Sequence, residues 1–245
     1  MKPRRYDGLL LIAALLVCWQ IVNLRVGADV VSSPADTIRR ATTLLLTRNF
    51  WTDAASTGVA FAYACLIGIA GGMVLGLVLG LSRFAADVAD PILGSIYSIP
   101  KITLYPIILL LFGLSPAAKI AFGVIHGIFP VAISTMNAVR NVAPVYRRTA
   151  EALRLSPSHT IMKVLAPAAL PEIFAGVRIG IAVTLLGILI AELFASSSGI
   201  GYALIRATEI HNVVDTSALT LLLFLFAVAI NALLQFSERR IRHQT

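Results

Sequence analysis

Charged residues are scarce in this sequence. Asp, Glu, Lys and Arg make up only 13% of its 245 residues, about half of what a soluble domain usually carries. Hydrophobic residues make up 58%, and the mean hydropathy is +0.87. Apolar stretches near or above the ~20 residues that cross a bilayer recur along the whole length. The composition argues against a soluble domain and predicts a chain made mostly of membrane spans.

Cysteine is also rare, and the usual sequence motifs of catalysis are missing. Cys18 and Cys65 both lie in apolar runs without a CxxC spacing, so we interpret them as small buried hydrophobic residues. The four histidines are scattered and predict no metal site. The sequence contains no G-x-x-x-x-G-K-[ST], HExxH or G-x-S-x-G pattern, which argues against an ATP site or an enzymatic centre in this chain.

The apolar runs predict an all-α membrane protein with six transmembrane helices, because only helices satisfy their backbone groups within a single segment in lipid. The MKPRR start is typical of a signal peptide, but no A-x-A cleavage site follows, so we expect a retained anchor. The predicted spans are about Gly8–Leu24, Ala55–Leu81, Ile92–Leu114, Ala117–Ala138, Glu172–Ala195 and Ser217–Phe236.

The basic residues predict the orientation of these spans. Lys and Arg are about twice as frequent on the side that holds both termini and the 139–171 segment as on the opposite side. The positive-inside rule therefore places both termini and this segment in the cytoplasm. Because the basic residues cluster at span ends, the net charge of +8 reflects topology, and we expect no nucleic acid partner.

Four glycines follow one face of the second span at a spacing of four residues: Gly68, Gly72, Gly76 and Gly80. A face without side chains lets another helix approach closely. The pattern predicts tight helix packing and leaves open whether the partner helix lies in the same chain or in another subunit.

The 139–171 segment interrupts the apolar pattern with a basic, proline-punctuated stretch. The pattern of Val145–Leu155 predicts one short amphipathic helix. A second helix is predicted to start at Ser156-Pro157 and to continue to about Ala166, because Ser favours the N-cap and Pro the first helical position. Pro167 is expected to end it, and Pro171 to mark entry into the next span. Such a corner could engage a cytoplasmic protein, or it could lie as an amphipathic hairpin on anionic lipid.

Several blocks of the sequence resemble ABC-transporter permeases, the membrane subunits of binding-protein-dependent importers. The segment that ends at Pro171 is similar to the "EAA" loop of these permeases, and the likeness to their nitrate/sulfonate/taurine branch covers roughly residues 55–240. The blocks occur in the family's order: ADPILGSIYSIP (89–100), YPIILLLFGLSPAAK (105–119), FPVAISTMNAVRNVAP (129–144), LAPAALPEIFAGVRIGI (165–181), AELFASSSGIGYALI (191–205) and the terminal ERR (238–240).

The resemblance implies the type I importer permease fold in a bacterial inner membrane. It also implies a homodimer, surrounded by lipid, that binds two cytoplasmic ATPase subunits and a periplasmic solute-binding protein. ATP and Mg²⁺ would belong to the ATPase subunits, and this chain would need no cofactor of its own. The expected organisation is an N-terminal anchor and periplasmic connection (1–54), the permease domain (55–240) with its coupling loop (about 139–171), and a cytoplasmic tail (241–245).

The loop departs from the family pattern in two places. The family's Glu-Ala-Ala falls on Arg148-Thr149-Ala150, and its corner glycine falls on Arg154. We expect Ser156-Pro157 to form the corner instead, and the partner ATPase to carry a compensating acidic residue. The predicted ATPase-coupling residues are Arg147, Arg148, Thr149, Ala150, Glu151, Arg154, Leu155, Ser156, Pro157, Ser158, His159 and Ile161.

A cationic residue inside a span marks a candidate substrate path. Lys101 lies about nine residues into its predicted span, roughly 14 Å deep at ~1.5 Å per residue. Such a residue either contacts cargo, here a small anion, or snorkels to the cytoplasmic rim. Glu192 matches an "AE" position of the family and is expected to support the SSSGIGYALI loop. The candidate pathway residues are Lys101, Tyr105, Glu192, Ser196, Ser197 and Ser198.

Two other classes of function would need groups that the sequence offers sparsely. A secondary transporter or channel working alone would need its own coupling groups, but Glu192 is the only carboxylate well inside the last three predicted spans. A membrane-embedded enzyme would need a clustered set of catalytic groups.

On the outer side, Ala28–Asp53 and Thr208–Asp215 are expected to be available to the solute-binding protein. Taken together, the sequence favours a permease that imports a small, anionic solute by alternating access.

Overall fold

The computed structural model describes residues 7–160, 163–164 and 166–242. In these ranges the regular elements are all helical, which confirms the predicted all-α class. The helices are α1 (Asp7–Val26), α2 (Pro34–Leu45), α3 (Arg48–Gly80), α4 (Arg83–Ser98), α5 (Tyr105–Phe112), α6 (Pro116–Arg140), α7 (Pro144–Ala152), α8 (Pro157–Thr160), α9 (Ala166–Phe194), α10 (Ile200–Glu209) and α11 (Val213–Arg242), with a 3₁₀ turn at Lys101–Leu104.

Four helices of the described chain are long and apolar enough to cross a membrane: α3, α6, α9 and α11. The pair formed by α4 and the Lys101–Phe112 stretch makes a fifth, broken span. The apolar part of α1, Leu10–Val26, is a shorter helix. The structure therefore supports the membrane fold with four or five spans by length and composition, and the predicted number of six depends on counting α1.

The centre of the molecule is a bundle of α3, α6 and α9. Gly68 lies beside Val124 and Gly80 beside Val139, so α3 and α6 run parallel. Helix α9 runs antiparallel to them, and its Ile188 is buried with Ala60 and Ala64 of α3. Burial of these apolar faces leaves the outer faces of the same helices to the lipid, as expected for a membrane bundle.

The glycine stripe of α3 packs against α6 of the same chain. A Cβ atom added at Gly72 would lie 2.7 Å from the backbone oxygen of Ile128, and one at Gly76 would lie 2.5 Å from that of Ala132. The backbones are therefore too close for any side chain at these positions. The sequence left open whether the partner helix lies in the same chain or in another subunit, and the structure shows that it is α6 of the same chain.

The continuous span predicted at Ile92–Leu114 is wrong. Helix α4 ends at Ser98, and the chain bends by 80° before α5. The cause is Pro100, which has no N–H to donate and forces Ile99 into an extended conformation (φ −62°, ψ 131°). The apolar run continues through the bend, so hydrophobicity alone did not show it.

The interpretation of both cysteines as buried is also wrong. Cys18 is exposed and Cys65 is half-buried. Helix α1 presents most of its apolar side chains outward rather than into the bundle, so an apolar residue in this helix is not a core residue.

Candidate functional site

The segment between α6 and α9, residues 141–165, forms a bent connection that we call the elbow. Its first helix, α7, ends one turn earlier than predicted, at Ala152. The N–H groups of Leu153 and Leu155 donate to the carbonyls of Thr149 and Ala150, both at 3.0 Å. Between them, Arg154 takes the left-handed conformation with φ +48°. The chain therefore turns at Arg154 itself.

Ser156 begins the second helix of the elbow rather than forming the corner. Its carbonyl accepts from the N–H of Thr160 at 2.9 Å, and its hydroxyl accepts from the backbone N–H of His159 at 3.4 Å. These contacts are those of an N-cap residue. The expectation that Ser156-Pro157 replaces the family's glycine corner is corrected, because Arg154 adopts the glycine-like conformation directly.

The elbow buries Ala150 and exposes most of its other described side chains. Ala150 is 1% exposed, whereas Arg148, Thr149 and Arg154 are exposed. Leu155 is half-buried, and Ser156 and His159 are exposed. Of the predicted coupling residues, Ile161 lies outside the described residues. The structure thus presents the described basic side chains of this segment on its surface.

Ion pairs connect the last residue of α6, where the elbow begins, to α4. Arg140, the last residue of α6, lies 3.3 Å from a carboxylate oxygen of Asp87 and 3.5 Å from one of Asp90. Both acids belong to α4. A displacement of the elbow would therefore act on α4 through these contacts as well as on α6.

The helix break holds Lys101 in the middle of the broken span. Its Nζ donates to the carbonyl of Tyr97 at 2.9 Å and lies 4.3 Å from the centroid of the Tyr97 ring. Among the described residues it has no carboxylate partner. Lys101 is half-buried as a residue, and its ammonium group satisfies one carbonyl near the end of α4. Its remaining donors are left for another group.

Tyr105, also predicted on the pathway, is enclosed in helix packing. Its hydroxyl donates to the carbonyls of Ala191 and Ala195 at 3.0 and 2.9 Å. Its ring packs on Phe122, with the centroids 4.7 Å apart. These contacts attach α5 to the end of α9, so the described geometry gives Tyr105 a packing role.

A buried ion pair lies at the opposite end of the bundle from the elbow. Lys119 of α6 and Glu192 of α9 are 3% and 0% exposed, and Nζ lies 2.9 Å from Oε1 of the carboxylate. The Thr57 hydroxyl of α3 donates to the same carboxylate at 2.9–3.0 Å. The pair therefore joins all three helices of the central bundle.

The same ion pair holds the Ser196–Gly201 turn in place. Lys119 also donates to the hydroxyl of Ser56 at 2.9 Å and to the carbonyl of Ser198 at 3.1 Å, so each of its three protons has an acceptor. The N–H of Gly201 donates to Oε2 of Glu192 at 3.0 Å. A buried ion pair stabilises a fold only when its remaining hydrogen-bonding groups are satisfied, and here they are.

Gly199 lets the turn close over the carboxylate. Its φ is +120°, and a Cβ atom there would overlap the Glu192 carboxyl group. Its N–H donates to Oδ1 of Asp53 at 2.9 Å. Ser196 stabilises the turn through a 2.8 Å bond to the Ser198 carbonyl, while Ser197 is exposed. This geometry supports the expectation that Glu192 holds the loop.

Sequence reasoning overlooked Lys119 as a partner of Glu192. It treated Lys119 only as one of the basic residues that indicate topology, because it lies three residues after the helix-starting Pro116. The available signal was that a base and an acid lie near the same end of two apolar spans. Their separation of 73 residues hides the pairing from any local pattern.

On the same side of the molecule, α2 is attached to α11. Arg40 forms an ion pair with Asp215, whose N–H is capped by Asn212 Oδ1 at 3.0 Å. A cavity of about 360 Å³ lies beside this pair, with Tyr202 and Arg206 of α10 on its other wall. The two outer segments predicted from sequence thus meet at one surface.

The chain matches the family model described as "Binding-protein-dependent transport system inner membrane component" over residues 68–243. It is 31% identical over 215 residues to a putative aliphatic sulfonates transport permease protein of Bacillus subtilis, covering 85% of this chain and 78% of that one. It is 33% identical to a nitrate import permease protein of Synechocystis, covering 82% and 76%. It is 34% identical to a bicarbonate transport system permease protein of Synechococcus elongatus, covering 86% and 82%.

Two solved structures share the fold. One is of the MetNI methionine ABC transporter in inward-facing conformations, with a TM-score of 0.61 and 21% identity over 81% of this chain and 96% of that one. The other is of an amino acid ABC transporter with histidines, with a TM-score of 0.62 and 20% identity over 83% and 96%. At these identities the likeness establishes the fold alone.

Proposed function

The chain belongs to the family of binding-protein-dependent transport system inner membrane components, and on that premise we propose that it is the permease subunit of an ATP-driven importer. It moves a small anionic solute from periplasm to cytoplasm by alternating access between two conformations. ATP and Mg²⁺ bind to its partner subunits, and this chain converts their closure into movement of its helices.

The complex that we propose contains two copies of this chain, two cytoplasmic ATPase subunits and a periplasmic solute-binding protein. Both termini and the elbow face the cytoplasm, as the distribution of basic residues favours. The ATPase contacts the elbow, and the solute-binding protein contacts the surface around α2 and α10. The cavity beside Arg40 and Asp215 supports the second assignment, because it lies at the opposite end from the elbow.

The observation that carries the proposal is the position of the elbow. It joins α6 to α9, the two helices that pack on each other and on α3 to form the bundle. A partner that moves the elbow therefore acts directly on both helices. In the complex that we propose, the exposed apolar residues Tyr146 and Leu153 of the elbow contact the ATPase.

The proposal is tested by reconstituting the permease into liposomes, alone and with its ATPase and solute-binding protein. We expect uptake of a labelled anion only when all three proteins and ATP are present. Uptake by the permease alone, driven by an ion gradient, would instead establish a secondary transporter.

Reversing the charge of Arg148 is expected to weaken assembly with the ATPase. Arg148 is exposed and occupies the position of the family's glutamate, so Arg148→Glu places a carboxylate against the acidic residue that we propose in the ATPase. Like charges in contact cost enough to lower affinity about tenfold or more. Copurification and permease-stimulated ATPase activity measure the effect. Undisturbed assembly and ATPase activity in this variant would refute the charge assignment.

Lys101 is proposed to attract the anionic solute at the helix break. Aliphatic sulfonates, nitrate and bicarbonate, named for three relatives, are all anions, and an ammonium group without a carboxylate partner inside a span is a functional candidate. Discontinuous helices are also common solute sites in membrane transporters.

Lys101→Met is expected to reduce anion uptake about tenfold or more, because it removes the positive charge that we propose attracts the solute. The measurement is initial uptake rate at fixed amounts of assembled complex. Lys101→Arg keeps the charge and serves as the matched control, which should retain most transport. Equal uptake by wild type and Lys101→Met would remove Lys101 from the path.

A further inference from the structure

Arg154 is held in a backbone conformation that costs an arginine free energy. With φ +48°, it lies in the left-handed region, where the Cβ of an L-residue crowds the neighbouring carbonyl and glycine does not. Within the described ranges, the only other non-glycine residue with positive φ is His211. A glycine at position 154 would adopt the same turn at a lower cost in conformational free energy.

The Arg154 side chain does not offset this cost through any polar contact with the described residues. The guanidinium group is exposed, and it has no hydrogen bond or ion pair among the described residues. The turn itself is made by backbone bonds from Leu153 and Leu155, which a glycine would preserve. Strain of this kind persists where another interaction depends on the residue.

The surface around Arg154 combines cationic and apolar groups. Arg148 is exposed on α7, and Tyr146 and Leu153 are 48% and 66% exposed. Between residues 141 and 171 the sequence has four Arg and Lys residues but a single acid, Glu151. Exposed Tyr and Arg side chains are characteristic of protein interfaces, and the excess of positive charge fits an acidic partner.

We propose that Arg154, together with Arg148, makes the elbow selective for an ATPase with an acidic docking cleft. The Arg154 guanidinium group pairs with a carboxylate of that cleft, and this contact is what retains an arginine at a corner suited to glycine. The proposal rests on the proposed function, and it adds that charge determines which ATPase the permease accepts.

The proposal predicts effects of opposite sign for Arg154→Gly. The variant relieves the strained conformation, so the permease alone should melt a few degrees higher. It also removes the charge, so affinity for the ATPase should fall about tenfold, and the remaining affinity should depend less on salt. A purely structural role for Arg154 would not raise stability and lower affinity in the same variant.

The experiment uses the full-length permease in neutral nanodiscs, titrated with its copurifying ATPase at low and high salt, with a thermal melt of each variant. Arg83→Gln is the matched control, because it removes an exposed basic residue at the start of α4, outside the elbow. We expect Arg83→Gln to bind the ATPase like wild type and Arg154→Gly to bind it more weakly.

Two results would overturn the inference while leaving the proposed function intact. One is that Arg154→Gly binds the ATPase as tightly as wild type at low salt. The other is that its binding is weakened only in anionic nanodiscs, which would assign the arginines to lipid headgroups. Failure of the wild-type permease to bind the ATPase at any salt concentration would instead refute the proposed function itself.

Discussion

Lys119→Met is expected to destabilise the permease by about 3–5 kcal/mol, because it leaves the Glu192 carboxylate buried without a counter-ion. Glu192 is 0% exposed, and of its partners among the described residues it would keep the Thr57 hydroxyl and the Gly201 N–H. The Ser196–Gly201 turn would lose its contact with Lys119 at the same time. The effect is measured as loss of folded, monodisperse protein after membrane extraction and as a lower melting temperature.

Two further variants show whether the ion pair is the cause. In the double variant with Glu192→Gln, no buried charge remains, so stability should recover in part and the two changes should not be additive. Arg140→Gln breaks an ion pair whose Asp87 side chain is 71% exposed, and exposed pairs contribute at most about 1 kcal/mol. If Lys119→Met were as mild as Arg140→Gln, the ion pair would not hold the bundle together.

Gly76→Leu is expected to prevent assembly of the bundle. The first atom of the new side chain would lie 2.5 Å from the Ala132 oxygen and 2.6 Å from the Thr135 Cβ. The oxygen is a backbone atom of a long helix and cannot move aside alone, so α3 and α6 must separate. Overpacking of a tight contact usually costs about 1–3 kcal/mol, and a leucine here inserts three more carbon atoms beyond that clash.

The matched control is Gly58→Leu on the same helix. Nothing lies within 4 Å of a Cβ at Gly58, and leucine favours helix over glycine by several tenths of a kcal/mol or more. The control should therefore express like wild type or slightly better. Equal expression and equal melting temperature for the two variants would contradict the close α3–α6 contact described above.

These two sites also bear on how the elbow could drive transport. The glycine contacts hold α3 to α6 along their length, and the Lys119–Glu192 pair joins both to α9 at the far end. We infer that the three helices move together, so that a displacement of the elbow reaches the turn at Ser196–Gly201. The Lys119–Glu192 ion pair would then keep α3, α6 and α9 together as one rigid body while they move.

Much of the architecture could be predicted from the sequence, because it depends on local composition. Long apolar runs predict helices in lipid wherever they occur, since no other local structure satisfies the backbone there. The observed α3, α6, α9 and α11 overlap the predicted spans. The glycine spacing likewise predicted a close helix contact, because the absence of side chains on one face is itself a property of the sequence.

The ends of the helices were harder to predict from the sequence where several local signals compete. Pro100 breaks a span, whereas Pro171, expected at a boundary, lies inside α9. Both are prolines in or beside apolar sequence, and their surroundings in the fold determine whether a helix continues. The turn at Arg154 is a third such case, since arginine gives no indication that its φ will be positive.

The sequence by itself determined that this is a helical membrane protein of the importer-permease family with a basic elbow between two spans, because hydrophobic run length and motif order are local properties. Only the tertiary structure decided that the glycine stripe faces α6 and that Lys119 neutralises Glu192. Those facts depend on which helices meet and in what register, and many weak packing contacts between distant residues determine that choice.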